Sequence, residues 1–489
     1  MKKTICSVAL FGAVLLPALA AVAAEWTVPG THPDLAAALA AARAGDTITL
    51  APGRHTAVDL RIPVGVDIRG AGSEPTDTLL DAGRLGRVLL IDGLADSTRV
   101  SNLTLTGGLA GGTSSYEGSG GAVLVRSSPT RFTRVVFRDN EAAAHGGALR
   151  AVSCSPQLNG CRFEDNRAPA GGGGAVEASI GSSPVVTACD FTGNVADWGG
   201  AVSARLGGSV ALIGCRLVTN TATGALGYGG GVFADNGAVV GLIDTIVSGN
   251  AARYGGGVAC FAASQVNVDH ATLVDNRASV RGGGVLAVDA SPWIGAAIIA
   301  FNEGEAIALV GDSAPYISCT DLAGNAGGDW TPELLAVAVA DLNYDIVPDF
   351  CSRDPWDPDG LRLDASSPLV GEAKACGMPG IVAAPCGATE SPEVPPASGL
   401  LAARASPNPF NPRTRIQFAL AADERVRIVI HDARGRQVRR LVDDRLAAGD
   451  HAIAWDGRTD DGAAAASGVY FVRLAGERGA RSLKVTLLK

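Results

Sequence analysis

Residues 146–202 read GGALRAVSCSPQLNGCRFEDNRAPAGGGGAVEASIGSSPVVTACDFTGNVADWGGAV, and one order of residues passes through them twice. A glycine pair and a small residue, Gly146-Gly147-Ala148, are followed by Phe163 and, three positions on, by Asn166. Gly173-Gly174-Ala175 are followed in the same way by Phe191 and Asn194, and Gly199-Gly200-Ala201 opens a further round. The pattern extends in both directions. Upstream stand Gly120-Gly121-Ala122 with Phe137 and Asn140. Downstream come Leu217/Asn220, Gly230-Gly231-Val232 with Val247/Asn250, Gly256-Gly257-Val258 with Leu273/Asn276, and Gly283-Gly284-Val285 with Ile299/Asn302. The two signals alternate strictly over seven rounds of about 26 residues.

Each round holds only short apolar runs broken by Gly and Asn. None can bury a face alone, so successive rounds must stack on one another. Stacked as parallel strands, equivalent residues lie ~4.8 Å apart. The Phe137 position then becomes an inward column: Phe, Phe, Phe, Leu, Val, Leu, Ile. Two residues earlier, on the same face, runs a second column of Val135, Cys161, Cys189, Cys215, Thr245, Ala271 and Ala297. The asparagines form a ladder whose amides bond along the axis and satisfy turn backbone groups, a structural role. Glycine supplies the tight corners. The expected fold is all-β, a parallel β-helix solenoid running from about Thr47 to about Asn325 with the Phe137 column inside.

The alternation of Gly-Gly-Ala/Val with Phe-x-x-Asn resembles the repeat of chlamydial polymorphic outer-membrane proteins. More broadly it resembles the pectin-lyase-like superfamily of right-handed parallel β-helices. Trp26 to Thr56 carry Val28-Pro29-Gly30, an Ala-rich helix near Asp34 to Arg43, Gly45-Asp46-Thr47 and Ala51-Pro52-Gly53. They resemble the amino-terminal cap of secreted β-helix proteins, in which a short helix covers the open edge of the first coil. Cys319 to Cys386, with Pro348-Asp349-Phe350-Cys351 and Ser366-Ser367-Pro368, resemble the closing segment of that group. The resemblance implies this fold over residues 25–388 and leaves activity open, because the fold hosts many functions.

Ahead of this body, Lys2 and Lys3, the apolar Ile5 to Leu16 and the small residues Ala18 to Ala24 have the order of a signal peptide. Residues 1–24 are expected to be cleaved after Ala23 or Ala24, leaving a chain secreted or attached to the outer-membrane surface. No later stretch reaches spanning length without charge or glycine. Of ten cysteines, Cys6 falls in the signal, and the nine that remain cannot all pair within one chain. Export permits disulfides. Cys376 and Cys386, closing a Gly/Pro-containing loop, are the better candidates, and the Cys161, Cys189, Cys215 column is within bridging reach. Charge is uneven: residues 404–489 carry 16 basic and 10 acidic residues, net +6, against −17 for residues 25–403. An acidic body argues against nucleic acid as a partner. The basic tail suits an anionic surface such as lipopolysaccharide.

Residues 389–403 read as a linker, with three prolines between Ser391 and Ser398. Residues 404–489 then show short alternating runs separated by turn signals, the pattern of a small antiparallel immunoglobulin-like sandwich. Ser406-Pro407-Asn408-Pro409-Phe410-Asn411-Pro412, Gly435-Arg436, Trp455-Asp456-Gly457, Ser467-Gly468-Val469-Tyr470 and Lys484 to Lys489 resemble a type A sorting domain of type IX secretion. They are also similar to the immunoglobulin-like domain of flagellar hook-capping proteins. The resemblance implies recognition by outer-membrane secretion machinery, removal of the domain and attachment of the body to the cell surface. A plain spacer domain is the alternative.

Galacturonase-like members of the superfamily carry sequences resembling Asn-Thr-Asp, Asp-Asp, Gly-His-Gly and Arg-Ile-Lys on adjacent coils. Here Asp-Asp occurs only at Asp443-Asp444 and Asp460-Asp461, in the tail. Lyase-like members need a calcium-binding acidic cluster and an arginine base, and Asp269-His270 has no such partner motif. Asp139 and Asp165 precede consecutive ladder asparagines, but Gly193 and Thr219 come next, so these read as solvated turn carboxylates. The six histidines show no metal-binding spacing. Asp456, Asp460 and Asp461 sit beside Gly457 and Gly462 and read as turn formers more than as calcium ligands. No cofactor is implied.

From the small residue to the asparagine the interval is 17 to 19 residues, whereas from the asparagine to the next small residue it runs from 7 to 12. The longest is at Thr221 to Tyr228. Variation confined to one corner marks the binding side of a repeat protein. That corner also carries His145, Trp198, Tyr228, Tyr254 and Arg281, each just before the glycines. Such a strip either shields the corner or stacks on sugar rings, with Asp197 or Arg281 bonding hydroxyls. Two residues before the rings, Ala196, Leu226 and Ala252 leave them room to lie flat. The leading expectation is a non-catalytic surface protein that binds glycans or other cells. The alternatives are a lyase or hydrolase of acidic polysaccharide and a passive stalk.

Overall fold

The computed structural model describes residues 23–112, 114, 116–337, 339–372, 378–381, 385–386, 400–406, 410, 412–420, 423–432, 437–466, 468–476 and 479–487. The signal-peptide reading and most of the linker reading fall outside them. At the start of the body, Glu25–Val28 pair in parallel with Thr47–Leu50, which pair with Asp67–Gly70. Between the first two strands lies the helix Leu35–Ala41, N-capped by Asp34, whose side chain accepts from the Ala37 amide at 2.8 Å. Leu35, Ala38 and Leu39 pack this helix onto the core. Asp46 accepts from the Ala24 and Arg43 amides and from Trp26 Nε1, and those hydrogen bonds lower its pKa.

Three parallel sheets run along the body. The first takes two short strands from most coils, such as Gln157–Asn159 and Arg162–Glu164. The second has 10 strands, from Leu60–Arg61 to Ile307–Val310, and the third has 7, from Leu109–Ala110 to Arg277–Arg281. Phe137, Phe163, Phe191, Leu217, Val247, Leu273 and Ile299 stand in register and fully buried. The three phenylalanine rings stack at 4.6 and 4.7 Å, near the coil rise. Cys161, Cys189 and Cys215 are buried free thiols, so that column packs without bridging.

The asparagines are buried, and each rung repeats one set of bonds. Asn220 Nδ2 donates to Phe191 O at 3.0 Å and to Asn250 Oδ1 at 2.9 Å, and its Oδ1 accepts from the Asn194 amide and Nδ2. The ladder ends at Asn325, where Asp329 takes the place of the next rung. Before each rung the chain turns through a left-handed residue, often not glycine: Asp139, Asp165, Thr219, Asp275 and Phe301 have φ between 53° and 59°. Asp139 and Asp165 are exposed there.

The glycine register differs from the sequence alignment in three rounds. Val202 pairs with Val232, Val232 with Val258 and Val258 with Val285, so the partners of Ala201 are Gly231, Gly257 and Gly284. The repeating unit is Gly-Gly-(Ala/Gly)-(Val/Leu). The first glycine is left-handed in each, and a Cβ at the second would strike a carbonyl of the next coil; at Gly174 that is Gly200 O.

The closing segment lies along the side of the solenoid. Leu361, Leu363 and Leu369, with Tyr344, Ile346 and Phe350, cover Ile246, Val274, Ile298 and Ala300, which point outward from the first sheet. Arg353 pairs with Asp275, and the Arg216 guanidinium sits 4.5 Å over the Trp356 ring. Bridges from Phe350 to Leu363 and from Asp364 to Cys386 bring Cys351 against Cys386, and these two form the disulfide, Cα–Cα 6.4 Å. The expected Cys376–Cys386 pairing is therefore incorrect: strand pairing that spacing does not encode chooses the partner. Cys376 is outside the described residues, and Cys319 is also disulfide-bonded.

The tail is a sandwich of a 3-stranded and a 4-stranded antiparallel sheet. Leu400–Ser406, Thr414–Leu420 and Gly449–Trp455 make the first. Gln437–Leu446, Glu424–Asp432, Gly468–Gly476 and Gly479–Leu487 make the second. Trp455 is buried between Phe410 and Tyr470. Asp456, Asp460 and Asp461 accept from nearby amides and side chains, bonds that shape the turn and hold the neighbouring strand. No described helix is long and apolar enough to cross a membrane.

Candidate functional site

Strands of the second sheet alternate inward and outward. Inward residues such as Val176 and Ala178 fill the core. Outward residues form two columns. One runs Leu124, Arg150, Glu177, Ser203, Phe233, Ala259, Leu286 and Ala308. The other begins Asp92, Arg126, Val152, Ser179 and Arg205, and later holds Phe261, Val288 and Val310. The first column is buried although it faces away from the core. Over its later coils it is covered by the corner rings before the glycines, which pack against Phe233, Ala259 and Leu286.

Backbone bonds place Ser119, His145, Gly172, Trp198, Tyr228, Tyr254 and Arg281 in one corner column. Trp198 bridges to Tyr228 and Tyr228 to Tyr254, and the Tyr254 position pairs with Arg281. The five residues picked from the sequence thus share one line, but they differ in environment. Trp198, Tyr228 and Tyr254 are half-buried, with their inner faces against Phe233 and the Phe261 neighbourhood. The Tyr228 and Tyr254 centroids are 5.4 Å apart. Arg281 is engaged by Glu305, Nε to Oε1 3.1 Å. Asp197 lies under the long loop, where Gly224 leaves room for its carboxylate, and burial raises its pKa. Arg253 pins that loop through Ala225 O at 3.0 Å. Ala196 and Ala252 are buried, but Leu226 is not their equivalent: Ala222 pairs with Ala196, and Leu226 is 57% exposed in the inserted loop.

His145 turns into a polar cluster that the sequence reading missed. Its Nδ1 accepts from the Gly172 amide at 3.2 Å and lies 3.3 Å from Glu177 Oε2. Arg150 Nε is 3.5 Å from the same carboxylate oxygen, and its Nη1 donates to Ser119 Oγ at 2.9 Å. Burial, followed by the nearby Arg150 and Arg205, lowers His145 to about 4. Burial pushes Glu177 up to about 7 against the pull of the same two arginines. Near neutral pH the imidazole is therefore neutral and the carboxyl stands at its midpoint. The Arg205 guanidinium lies 5.0 Å over the Trp198 ring, and Tyr116 lies under both Arg126 and Arg150. The signal for this cluster was present in Leu149-Arg150, Val176-Glu177 and Val202-Ser203. The uniform interval there reads as scaffold, and the outward half of its alternation changes residue type from coil to coil.

The chain matches the family model of the right handed beta helix region over residues 91–318 and that of the FlgD Ig-like domain over residues 410–480. The body is thus a right-handed parallel β-helix and the tail an immunoglobulin-like domain. Among solved structures the chain is similar to an alginate lyase from Paenibacillus sp. str. FPU-7, at 13% identity over 66% of this chain and 98% of that one, TM-score 0.25. It is similar to the PL6 family alginate lyase AlyGC at 14% identity over 73% and 57%, TM-score 0.34. It is also similar to the tailspike protein gp49 from Acinetobacter baumannii bacteriophage Fri1, a capsular polysaccharide depolymerase, at 10% identity over 91% and 74%, TM-score 0.26. Likenesses of this depth carry no argument about activity. No curated protein matches the chain in sequence.

Proposed function

We propose that the β-helix binds an extended glycan along the corner of the second sheet, as a non-catalytic surface protein exported and held through its tail domain. The observation that carries this reading is the alignment of Trp198, Tyr228 and Tyr254 on successive coils, each only partly buried along one corner. Ring faces and edges repeated at the coil rise suit a ligand that is itself a linear repeat of flat, partly apolar rings. A polysaccharide chain is such a ligand. Beside the rings, the more exposed outward column changes from charged at Arg126 and Arg205 to apolar at Phe261 and Val288, so the same face offers both hydrogen bonds and stacking.

Because the inner ring faces are packed, alanine at all three positions would also loosen the Phe233 cluster. Tyr228→Leu with Tyr254→Leu keeps apolar volume and removes the rings. Each stacking contact is worth ~1 kcal/mol, so the pair should weaken binding to a glycan found by array screening about tenfold or more. The melting temperature should fall by only a few degrees. Unchanged affinity in the double variant would sink the platform. Product analysis of the bound glycan separates binding from turnover, and chain cleavage would replace this reading with an enzymatic one.

Export is a separate expectation. A chain lacking residues 400–489, expressed in a host with type IX secretion, should cross the inner membrane and collect in the periplasm. Cell fractionation decides it, and surface display of the shortened chain would reduce the tail to a spacer.

A further inference from the structure

A cavity of about 370 Å³ lies on the outward face of the first sheet, near its amino-terminal end and on a different sheet from the corner rings. Two outward columns meet there. In one, Thr47, Asp67, Arg99, Arg131 and Gln157 pair rung by rung. In the other, Arg69, Ser101 and Thr133 do the same. Between the columns the Val100 backbone is the floor, since the Val100 side chain is buried in the core.

Arg99 and Arg131 are direct partners across the ladder, so their side chains leave the sheet ~4.8 Å apart. Like charges so placed repel. Their own partners lie on opposite sides. Arg99 reaches back to Asp67, Nη1 to Oδ2 3.1 Å. Arg131 reaches forward to Gln157, whose Oε1 accepts from Nε at 3.1 Å and from Nη2 at 2.8 Å. The two arginines therefore part, and both line the cavity. Arg69, the third cation there, is held by Glu25 and by Thr49 Oγ1. Three guanidinium groups thus meet two carboxylates, and among the described residues no carboxylate pairs with Arg131. The local charge is positive on a body that carries −17 over residues 25–403. The Thr47, Ser101 and Thr133 hydroxyls make no hydrogen bond to any described residue. The Arg69 and Arg99 side chains are 50% and 55% exposed, and Arg131 is exposed as well, so a ligand can reach all three.

We infer that this cavity binds a short acidic saccharide, its acid group held between Arg99 and Arg131 and its ring hydroxyls bonded to Ser101, Thr133 and Thr47. The site is separate from the corner and does not rest on the reading given to the rings. An anion between the two arginines turns their repulsion into charge-assisted pairs, and the planar guanidinium fork suits a carboxylate or a sulfate ester. The volume asks for more than a bare ion: it falls at the lower end of the roughly 300–1,000 Å³ of small-molecule sites. The free hydroxyls ask for a hydroxylated ligand. Its length is bounded too. Gln157 and Asn159 continue the polar face, but the next rung begins with Val185, which is exposed and apolar. A saccharide of one or a few rings fits that span, and a long chain does not.

The test is isothermal titration calorimetry of the full chain with digalacturonate, a sulfated heparin disaccharide, neutral cellobiose and inorganic phosphate, at low salt and at about 0.2 M NaCl. At least one acidic disaccharide should bind, with cellobiose silent and the affinity falling severalfold in the higher salt. The acidic sugar that binds better identifies the carboxylate or the sulfate as the group held. Arg131→Gln should weaken that binding about tenfold or more. The same variant should hold or slightly raise the melting temperature of the ligand-free chain, because it removes a like charge beside Arg99. Arg131→Lys keeps the charge without the fork and should fall between. Arg277→Gln, at another exposed arginine on the third sheet, should bind as the wild type does, and so should the Tyr228→Leu, Tyr254→Leu chain. Undiminished affinity in Arg131→Gln, an equal loss in Arg277→Gln, or equal binding of cellobiose would overturn the site. Phosphate bound as tightly as the sugars would reduce it to a place for a simple ion and overturn the saccharide assignment. Loss of binding in the tyrosine variant alone would move the acidic sugar to the corner. Failure of both acidic disaccharides to bind would overturn this site and leave the corner reading standing.

Discussion

Phe163→Asp should unfold the coils on both sides of the substitution. The ring is fully buried between Phe137 and Phe191, at centroid distances of 4.6 and 4.7 Å. Loss of a buried phenylalanine costs roughly 3–5 kcal/mol, and the carboxyl must then either stay protonated or bury its charge. Because each coil contacts only its neighbours, the damage spreads along the axis before it reaches the ends. Hydrogen exchange should show lost protection from the Phe132 coil through the Leu217 coil, with the tail sandwich still protected. Phe163→Leu is the control. Leucine already occupies this column at Leu217 and Leu273, so it should cost only roughly 1–2 kcal/mol. A full-length melting curve unchanged by aspartate would refute the inward assignment of the whole column.

That column was legible because stacking turns a chemical requirement at one position into a repeated letter. Phe137, Phe163 and Phe191 must each fill the same space, and the asparagines must each close the same turn. The glycine corner was legible for the same reason, though only to within one residue. Three of its rounds use a third glycine where the others use alanine, and sequence alone cannot tell Gly230-Gly231-Val232 from Gly229-Gly230-Gly231. Strand pairing removes the ambiguity, because Val232 must fill the core beside Val202.

What repeats poorly was harder to read. The outward column of Arg150, Glu177, Ser203 and Phe233 changes chemistry at every coil, so it leaves no periodic trace. Its burial comes from side chains that fold over it, Tyr116 and the corner rings, and no periodic pattern reports that. The Cys351–Cys386 bridge belongs to the same class. It follows from pairings of Phe350 and Asp364 in a segment without repeat. Asp275 and Arg353 pair across 78 residues in the same way.

Asn220→Ala should destabilise the body nearly as much as an apolar core deletion, although it removes a polar side chain. Asn220 joins three coils: it donates to Phe191 O and Asn250 Oδ1 and accepts from the Asn194 amide and side chain. All of these groups are buried. Truncation leaves the Asn194 amide and Nδ2 without their acceptor, each at a cost of ~1–3 kcal/mol, and takes one of its donors from the Phe191 carbonyl. The sum is on the order of 4 kcal/mol, less whatever an entering water restores. Asn220→Asp keeps an acceptor for Asn194 but loses both donors and buries a charge, so it should be no milder. Asn159→Ala, on the exposed face of the first sheet, should stay within about ±0.5 kcal/mol. Urea denaturation of the three variants ranks them, and exchange of the Asn194 amide reports the broken rung directly. If Asn220→Ala matched Asn159→Ala, the ladder would be a passenger of the fold, held by the sheets on either side and holding nothing itself.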